Sequence, residues 1–240
     1  MKIGIDIDGV LTDIEQWQLD YGSKFYYENY VLGIKKYKGY ETNEIFDVDI
    51  KLDDEFWNKY FREYSINVEA RKFANEVIDK LKENGFEIYI ITARFLTDKN
   101  TIEGEKMRNI VKNWLKQNNI HYDKIIFSPE DKLEICKQNN IDLMIEDSTR
   151  ISLDLINNGI KVYTMNTRYN QKEQTLDRVS KWKEIYEKII IDKKIIDITV
   201  RQAACMVKYI PYKQLFIYYK SRKNEGVHME INIGIIAIVV

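Results

Sequence analysis

Short apolar runs alternate with amphipathic stretches through the first 165 residues, and this rhythm constrains the fold more than any other feature. The runs are Lys2–Asp8, Phe86–Thr92, Lys124–Ser128, Leu143–Glu146 and Lys161–Met165. Each is rich in Ile, Val or Tyr, and most lack strict polar alternation, so they read as strands covered on both faces. Helical patterns fall between them. Val68–Asn84 repeats apolar residues at Phe73, Val77, Ile78 and Leu81 and closes at Asn84-Gly85. Glu105–Asn118 carries Met107, Ile110, Val111, Trp114 and Leu115 at helical spacing. Asp131–Asn139 and Ser148–Asn158 are shorter, and Asn158-Gly159 again reads as a stop. The alternation predicts an α/β fold: a doubly wound parallel sheet with right-handed crossovers and helices on both faces.

One interval breaks the rhythm. The stretch from Ile14 to about Val68 is too long for a simple crossover, and it holds Trp17, Phe25, Tyr26, Tyr27, Tyr30, Tyr37, Tyr40, Phe46, Phe56, Trp57, Tyr60 and Phe61. It reads as a mainly helical insertion beside the loop after the first strand, where ligands bind in parallel sheets. An aromatic insertion there would cover a site. Taken singly, Trp17, Trp57 and Phe61 at helical spacing are expected in core packing rather than against a ligand. The organisation expected is a core of residues 1–13 and 69–190, a helical cap of residues 14–68, and a C-terminal extension, residues 191–240. That extension has eight Lys/Arg against four Asp/Glu, while the rest has 29 against 34, and no period or motif is evident in it.

Composition excludes several chemistries. Lys and Arg total 37 against 38 Asp and Glu, so a broad basic surface for a nucleic-acid polymer is not expected. Cys136 and Cys205 are too few for a disulfide framework or a Cys-rich zinc site. His121 and His228, the only histidines, leave little material for a His-rich metal site or a Ser-His-Asp triad. His121 is expected in a loop and Cys136 in helix packing. Any catalysis rests on carboxylates, Lys and Arg. Met1 leads directly into Lys-Ile-Gly-Ile-Asp, and no apolar stretch reaches the ~18 residues of a membrane span. A cytoplasmic protein without membrane partners is expected.

The most informative segment is Asp6-Ile7-Asp8-Gly9-Val10-Leu11-Thr12-Asp13. Asp6 and Asp8 are two apart, so a continuing strand would point both to one face. Gly9 then lets the backbone turn sharply. Two carboxylates at the end of a first parallel strand repel unless a cation offsets them. Mg²⁺ suits the position, because it takes hard oxygen ligands and retains waters for substrate phosphate. One carboxylate can attack phosphorus while the other handles the leaving-group proton. Turn-capping carboxylates are the competing explanation.

Asp6-Ile7-Asp8-Gly9-Val10 resembles the first signature of the haloacid dehalogenase superfamily of phosphotransferases. Three further elements match in order: Ile90-Ile91-Thr92-Ala93-Arg94, Lys132 in Ser128-Pro129-Glu130-Asp131-Lys132, and Met144-Ile145-Glu146-Asp147-Ser148. More narrowly, Thr92-Ala93-Arg94, Asn113-Trp114-Leu115, Asp131-Lys132-Leu133-Glu134 and the insertion's position are similar to the 5′(3′)-deoxyribonucleotidases and their bacterial nucleotidase relatives. The likeness covers residues 1 to about 165.

The resemblance implies Asp6 as the nucleophile that forms an aspartyl-phosphate, and Asp8 as the group that protonates the leaving alcohol and then activates water. It implies that Asp6, the Asp8 backbone carbonyl and Asp147 hold Mg²⁺, with Glu146 either touching the metal or orienting its neighbour. Thr92 and the Ala93 N–H would bind phosphate oxygens. Lys132 would offset charge between phosphate and Asp6, with Lys124 and Lys137 as weaker candidates. Arg94 would contact phosphate or fix its own loop. Asp13 is expected to bond the turn or cap the next helix.

The function expected is Mg²⁺-dependent hydrolysis of nucleoside or deoxynucleoside monophosphates. Alternatives are a phosphatase for a phosphosugar or other small ester, and a degenerate domain that binds a protein. A hydrolytic dehalogenase fits less well, because a halide leaving group does not need the acid at Asp8. A homodimer is compatible with any of these.

Overall fold

The computed structural model describes residues 1–209, with residues 201–209 as backbone only. Six strands form one parallel sheet: β1 (Lys2–Ile5), β2 (Glu87–Thr92), β3 (Lys124–Phe127), β4 (Leu143–Glu146), β5 (Lys161–Met165) and β6 (Arg178–Val179), in the order β3-β2-β1-β4-β5-β6. Register is regular, with Ile5 beside Ile90 on one flank and Ile145 on the other. The strand order runs outward in both directions from β1, so the crevice at its carboxyl end lies between the loops after β2 and β4.

The helices are α1 (Ile14–Tyr30), α2 (Thr42–Phe46), α3 (Ile50–Asn67), α4 (Ala74–Glu83), α5 (Ile102–Gln117), α6 (Leu133–Asn139), α7 (Thr149–Asn157) and α8 (Trp182–Tyr209). Tyr89, Ile91, Met144 and Val162 pack with Cys136, Ile151 and Leu155 of α6 and α7. The alternate strand residues Ile88, Ile90 and Ile145 are buried too, as required of a sheet covered on both sides.

Between β1 and α4, helices α1 to α3 gather around a separate cluster of Trp17, Phe25, Tyr26, Phe46, Phe56, Tyr60 and Tyr64. Trp17 stacks on Tyr21 at 4.5 Å and on Trp57 at 5.7 Å. Side chains buried as fully as Phe46 and Phe56 each contribute about 1.5–3 kcal/mol over exposure. Most of the aromatics noted in the sequence are therefore packing, while Tyr27, Tyr30, Tyr37 and Tyr40 remain exposed. The chain leaves and re-enters the sheet side by side. Thr12 and Ala70 form an antiparallel bridge, and Arg71 donates to the Leu11 carbonyl at 2.7 Å and the Thr12 carbonyl at 3.0 Å.

Several boundaries differ from expectation. The first strand stops at Ile5, not Asp8, so Asp6 and Asp8 stand on the loop and owe their placement to the turn, not to strand alternation. Residues 68–73 are not helical, because this segment pairs at Ala70 instead, and α4 begins only at Ala74. Helix α5 begins earlier than its apolar pattern, where the Thr101 hydroxyl accepts the Gly104 N–H. Asp13 does cap α1, accepting the Gln16 N–H. Strand β6 and helix α8 were not anticipated; the extension from residue 191 is helical as far as Tyr209, and its remainder, with His228, lies outside the described residues. The chain divides into units Met1–Lys188 and Ile189–Val240. Among the described residues, no helix is long and apolar enough to cross a membrane.

Candidate functional site

The loops after β1, β2, β3 and β4 bring the expected residues to one place. Asp6 follows β1 directly, and its N–H donates to the Ile145 carbonyl at 3.1 Å, which ties the loop to β4. Gly9 adopts φ +81°, a left-handed conformation open to glycine at little cost. The turn closes as the N–H groups of Val10, Leu11 and Thr12 converge on the Ile7 carbonyl. A Cβ at Gly9 would collide with the Asp147 carboxylate, so the turn also makes room for β4's acidic end.

Asp6, Glu146 and Asp147 are buried, and each offers an oxygen within 4.8 Å of the others'. Lys132, on the residue before α6, reaches Asp6 Oδ1 at 2.8 Å and Glu146 Oε2 at 2.7 Å. It is the one lysine of the three considered that enters the cluster: Lys124 bonds Asn139 and Lys137 bonds Asn158. One ammonium against three carboxylates is an incomplete match. Burial, opposed by Lys132 and reinforced by the charges of Glu146 and Asp8, pushes the Asp6 carboxyl up to about 7. Burial and the charges of Glu146 and Asp6 push Asp147 well above the carboxylate range. Against its own burial, Glu146 is held low by Lys132 and by hydrogen bonds from Lys132 and the Asp147 and Ser148 N–H groups. A hard divalent cation fits this donor set, since it would supply the positive charge that Asp6 and Asp147 lack.

Glu146 is thus held at both oxygens, Oε1 by its own loop and Oε2 by Lys132. Asp147 Oδ2 accepts the Tyr169 hydroxyl, and Asn170 Nδ2 donates to the Asp147 carbonyl at 3.0 Å. Ser148 caps α7, accepting the Ile151 N–H.

Asp8 faces different partners. Arg94 grips it with Nε to Oδ2 at 3.0 Å and Nη2 to Oδ1 at 2.5 Å, and the Tyr64 hydroxyl donates to Oδ1 at 2.5 Å. Against its burial, these groups hold the Asp8 carboxyl below its ordinary range. Arg94 is therefore spent largely on Asp8, although its Nη1 is buried without a partner among the described residues. The Thr92 hydroxyl, fully buried, accepts the Arg94 N–H at 3.2 Å, and Ala93 lies between them. Asp8, Gln18, Tyr40, Trp57, Asp147 and Tyr169 line an adjoining cavity.

Tyr64, Tyr169 and Asn170 were not singled out from the sequence. Tyr64 had a signal: it continues the Phe56, Tyr60 stripe at four-residue spacing along α3. Tyr169 and Asn170 sit in the irregular stretch after β5 and carried none. His121 lies before β3 on the surface, paired with Asp79, and Cys136 is buried in α6, both as expected.

The family model of the 5′ nucleotidase, deoxy (pyrimidine), cytosolic type C protein matches residues 1–195. A nucleotidase of Clostridium acetobutylicum is 30% identical over 189 residues, which span 78% of this chain and 92% of that protein. Among solved structures, a conserved haloacid dehalogenase-like protein of unknown function from Agrobacterium tumefaciens superposes with a TM-score of 0.57 at 14% identity, covering 80% of this chain and 98% of that one. A haloacid dehalogenase-superfamily hydrolase, subfamily IA, from Geobacter sulfurreducens gives 0.50 at 15% identity, over 78% and 94%. At such identities the two structures speak for the fold alone.

Proposed function

The chain belongs to the family of the cytosolic type C 5′ nucleotidase, deoxy (pyrimidine), within the haloacid dehalogenase superfamily, and from that premise we propose that it is a Mg²⁺-dependent phosphomonoesterase of nucleoside or deoxynucleoside monophosphates. The observation that carries this reading is the meeting of Asp6, Glu146 and Asp147 with Lys132 at the carboxyl ends of β1 and β4.

In this reading an Asp6 oxygen attacks phosphorus, forming the new P–O bond as the ester P–O bond breaks. Asp8, held as a carboxylate by Arg94 and Tyr64 in the free site, takes up a proton as the substrate's phosphate charge competes for Arg94, and passes it to the leaving oxygen. Asp8, now a carboxylate, takes a proton from the water that attacks the aspartyl-phosphate, which releases phosphate and restores Asp6. Lys132 neutralises charge beside Asp6, and Thr92, the Ala93 N–H and the unpartnered Arg94 Nη1 receive phosphoryl oxygens. Asp6, Asp147 and the Asp8 backbone carbonyl would hold Mg²⁺, with Glu146 fixing the loop that presents Asp147. When bound, the ion offsets phosphoryl and carboxylate charge. Residues 14–68 act as the cap over this cavity, with residues 1–13 and 69–190 as the core.

A panel of nucleoside, deoxynucleoside and sugar monophosphates with Mg²⁺ tests the reading. Release of phosphate fastest from a nucleotide is expected. Preference for a sugar phosphate would transfer the same chemistry to another substrate, and inactivity on the whole panel would end the enzymatic reading.

A further inference from the structure

A carboxylate that trades a proton with a leaving group must present one defined oxygen, and Asp8 sits on a loop next to a glycine turn. Two elements distant in sequence restrain it. Arg94, after β2, takes both oxygens. Tyr64, in the last turns of α3, adds a second donor to Oδ1. Its hydroxyl oxygen lies 2.9 Å from Thr12 Oγ1, whose residue forms the bridge to Ala70. The ring is held by Trp17 at 4.8 Å, and the Arg94 guanidinium lies 5.3 Å from its centre. The end of α3 is itself anchored, because Trp114 Nε1 of α5 donates to the Val68 carbonyl at 2.7 Å. A carboxylate oxygen has about two acceptor positions. Among the described residues, Oδ1 has both filled, whereas Oδ2 has Arg94 Nε alone.

We propose that Tyr64 is a positioning residue for Asp8: by saturating Oδ1 from α3, it leaves Oδ2 as the oxygen that exchanges the proton with the leaving alcohol. The proposal rests on the reading of Asp8 as the general acid. It assigns to the inserted helices a part in the chemistry besides covering the cavity.

The test is the dependence of kcat/KM on leaving-group pKa across aryl phosphates of similar size, from p-nitrophenyl to phenyl phosphate, with Mg²⁺ present. Loss of acid assistance penalises poor leaving groups more than good ones, whereas a general packing defect lowers all of them alike. Tyr64→Phe keeps the ring and removes the hydroxyl. Its kcat/KM for phenyl phosphate should fall on the order of 10-fold further than for p-nitrophenyl phosphate. Thr12→Val, which leaves Tyr64 intact and frees its oxygen, should steepen the dependence less; it carries the test if Tyr64→Phe does not fold. Asp8→Asn is the control. If Asp8→Asn steepens the dependence and neither other variant does, Tyr64 has no positioning role. If Asp8→Asn leaves the dependence unchanged, Asp8 is not the acid, and the proposal falls with that reading.

Discussion

Lys132 and Asp6 meet at 2.8 Å with both side chains withdrawn from solvent, and the same ammonium holds Glu146 at 2.7 Å. One cation thereby restrains two acids that are far apart in the chain but sit at the ends of neighbouring strands, β1 and β4. Removing it would leave two buried carboxylates facing each other and Asp147.

Lys132→Met, which conserves apolar length, should therefore destabilise the protein by about 3–5 kcal/mol. It should also lower kcat on the order of 100-fold, through loss of charge stabilisation beside the attacking group. Urea unfolding without metal measures the first effect and steady-state phosphate release the second. A stability within 1 kcal/mol of wild type (taking ~1 kcal/mol as the ordinary surface effect) would show that the acids find another partner.

Asp6 gives a signed pH dependence. Its folded pKa, about 7, lies above the ordinary carboxyl value of 3.8, so between those pH values the folded state binds the extra proton. The contribution of this group to stability falls as pH rises through that window. Metal-free Asp6→Asn should therefore be more stable than wild type at pH 8, with the difference shrinking towards pH 4, and Mg²⁺ should raise Tm at pH 8 in wild type more than in the variant. Turnover by Asp6→Asn should be lost. Equal Mg²⁺ responses in thermal melts would remove Asp6 from the ion's ligands.

Asp8 behaves oppositely. Its folded pKa is depressed, so the stability it contributes is present above its ordinary value and is lost as pH falls through the folded one. Arg94→Met removes the main attraction and should cost about 3 kcal/mol at neutral pH. Because the variant has already lost that contribution, its stability should decline less between pH 5 and pH 2 (roughly the range over which such a carboxylate titrates). Parallel pH–stability curves for the two proteins would contradict the assignment.

Gly9→Ala tests the turn. An L-residue at φ +81° costs roughly 1–2 kcal/mol, and the added methyl would strike the Asp147 carboxylate. The variant should lose stability and should bind Mg²⁺ more weakly, since Asp147 must move. Unchanged Mg²⁺ affinity by calorimetry would place Asp147 outside the ion's shell.

How much of this was legible beforehand varies with the range of the interaction. The strands Leu143–Glu146 and Lys161–Met165 coincide with their apolar runs, since burial on both faces writes a continuous Ile, Val and Tyr signal. Asp6 was recognisable because its paired carboxylates follow the first apolar strand, whereas Asp147 and Lys132 were singled out by the resemblance of their segments to the family's motifs, not by local order. Boundaries set by single contacts were not: Ile5 ends β1 through a turn, and residues 68–73 leave the helix to pair with Thr12. Helix α8, which starts at Trp182 and runs into the extension from residue 191, was hidden, because the extension's Ile-rich spacing suits either a strand or a helix.

The linear chain by itself determined that a parallel sheet would form and that the Asp6 and Asp8 carboxylates would follow its first strand, because periodicity and strand-end position are local properties; Lys132 and Asp147 came from likeness to a family, not from the pattern. Only the tertiary structure decided the partners: Arg94 and Tyr64 on Asp8, Lys132 between Asp6 and Glu146, Tyr169 on Asp147. Those choices depend on distances between loops dozens of residues apart, and a buried charge takes whichever partner the packing brings within hydrogen-bond reach.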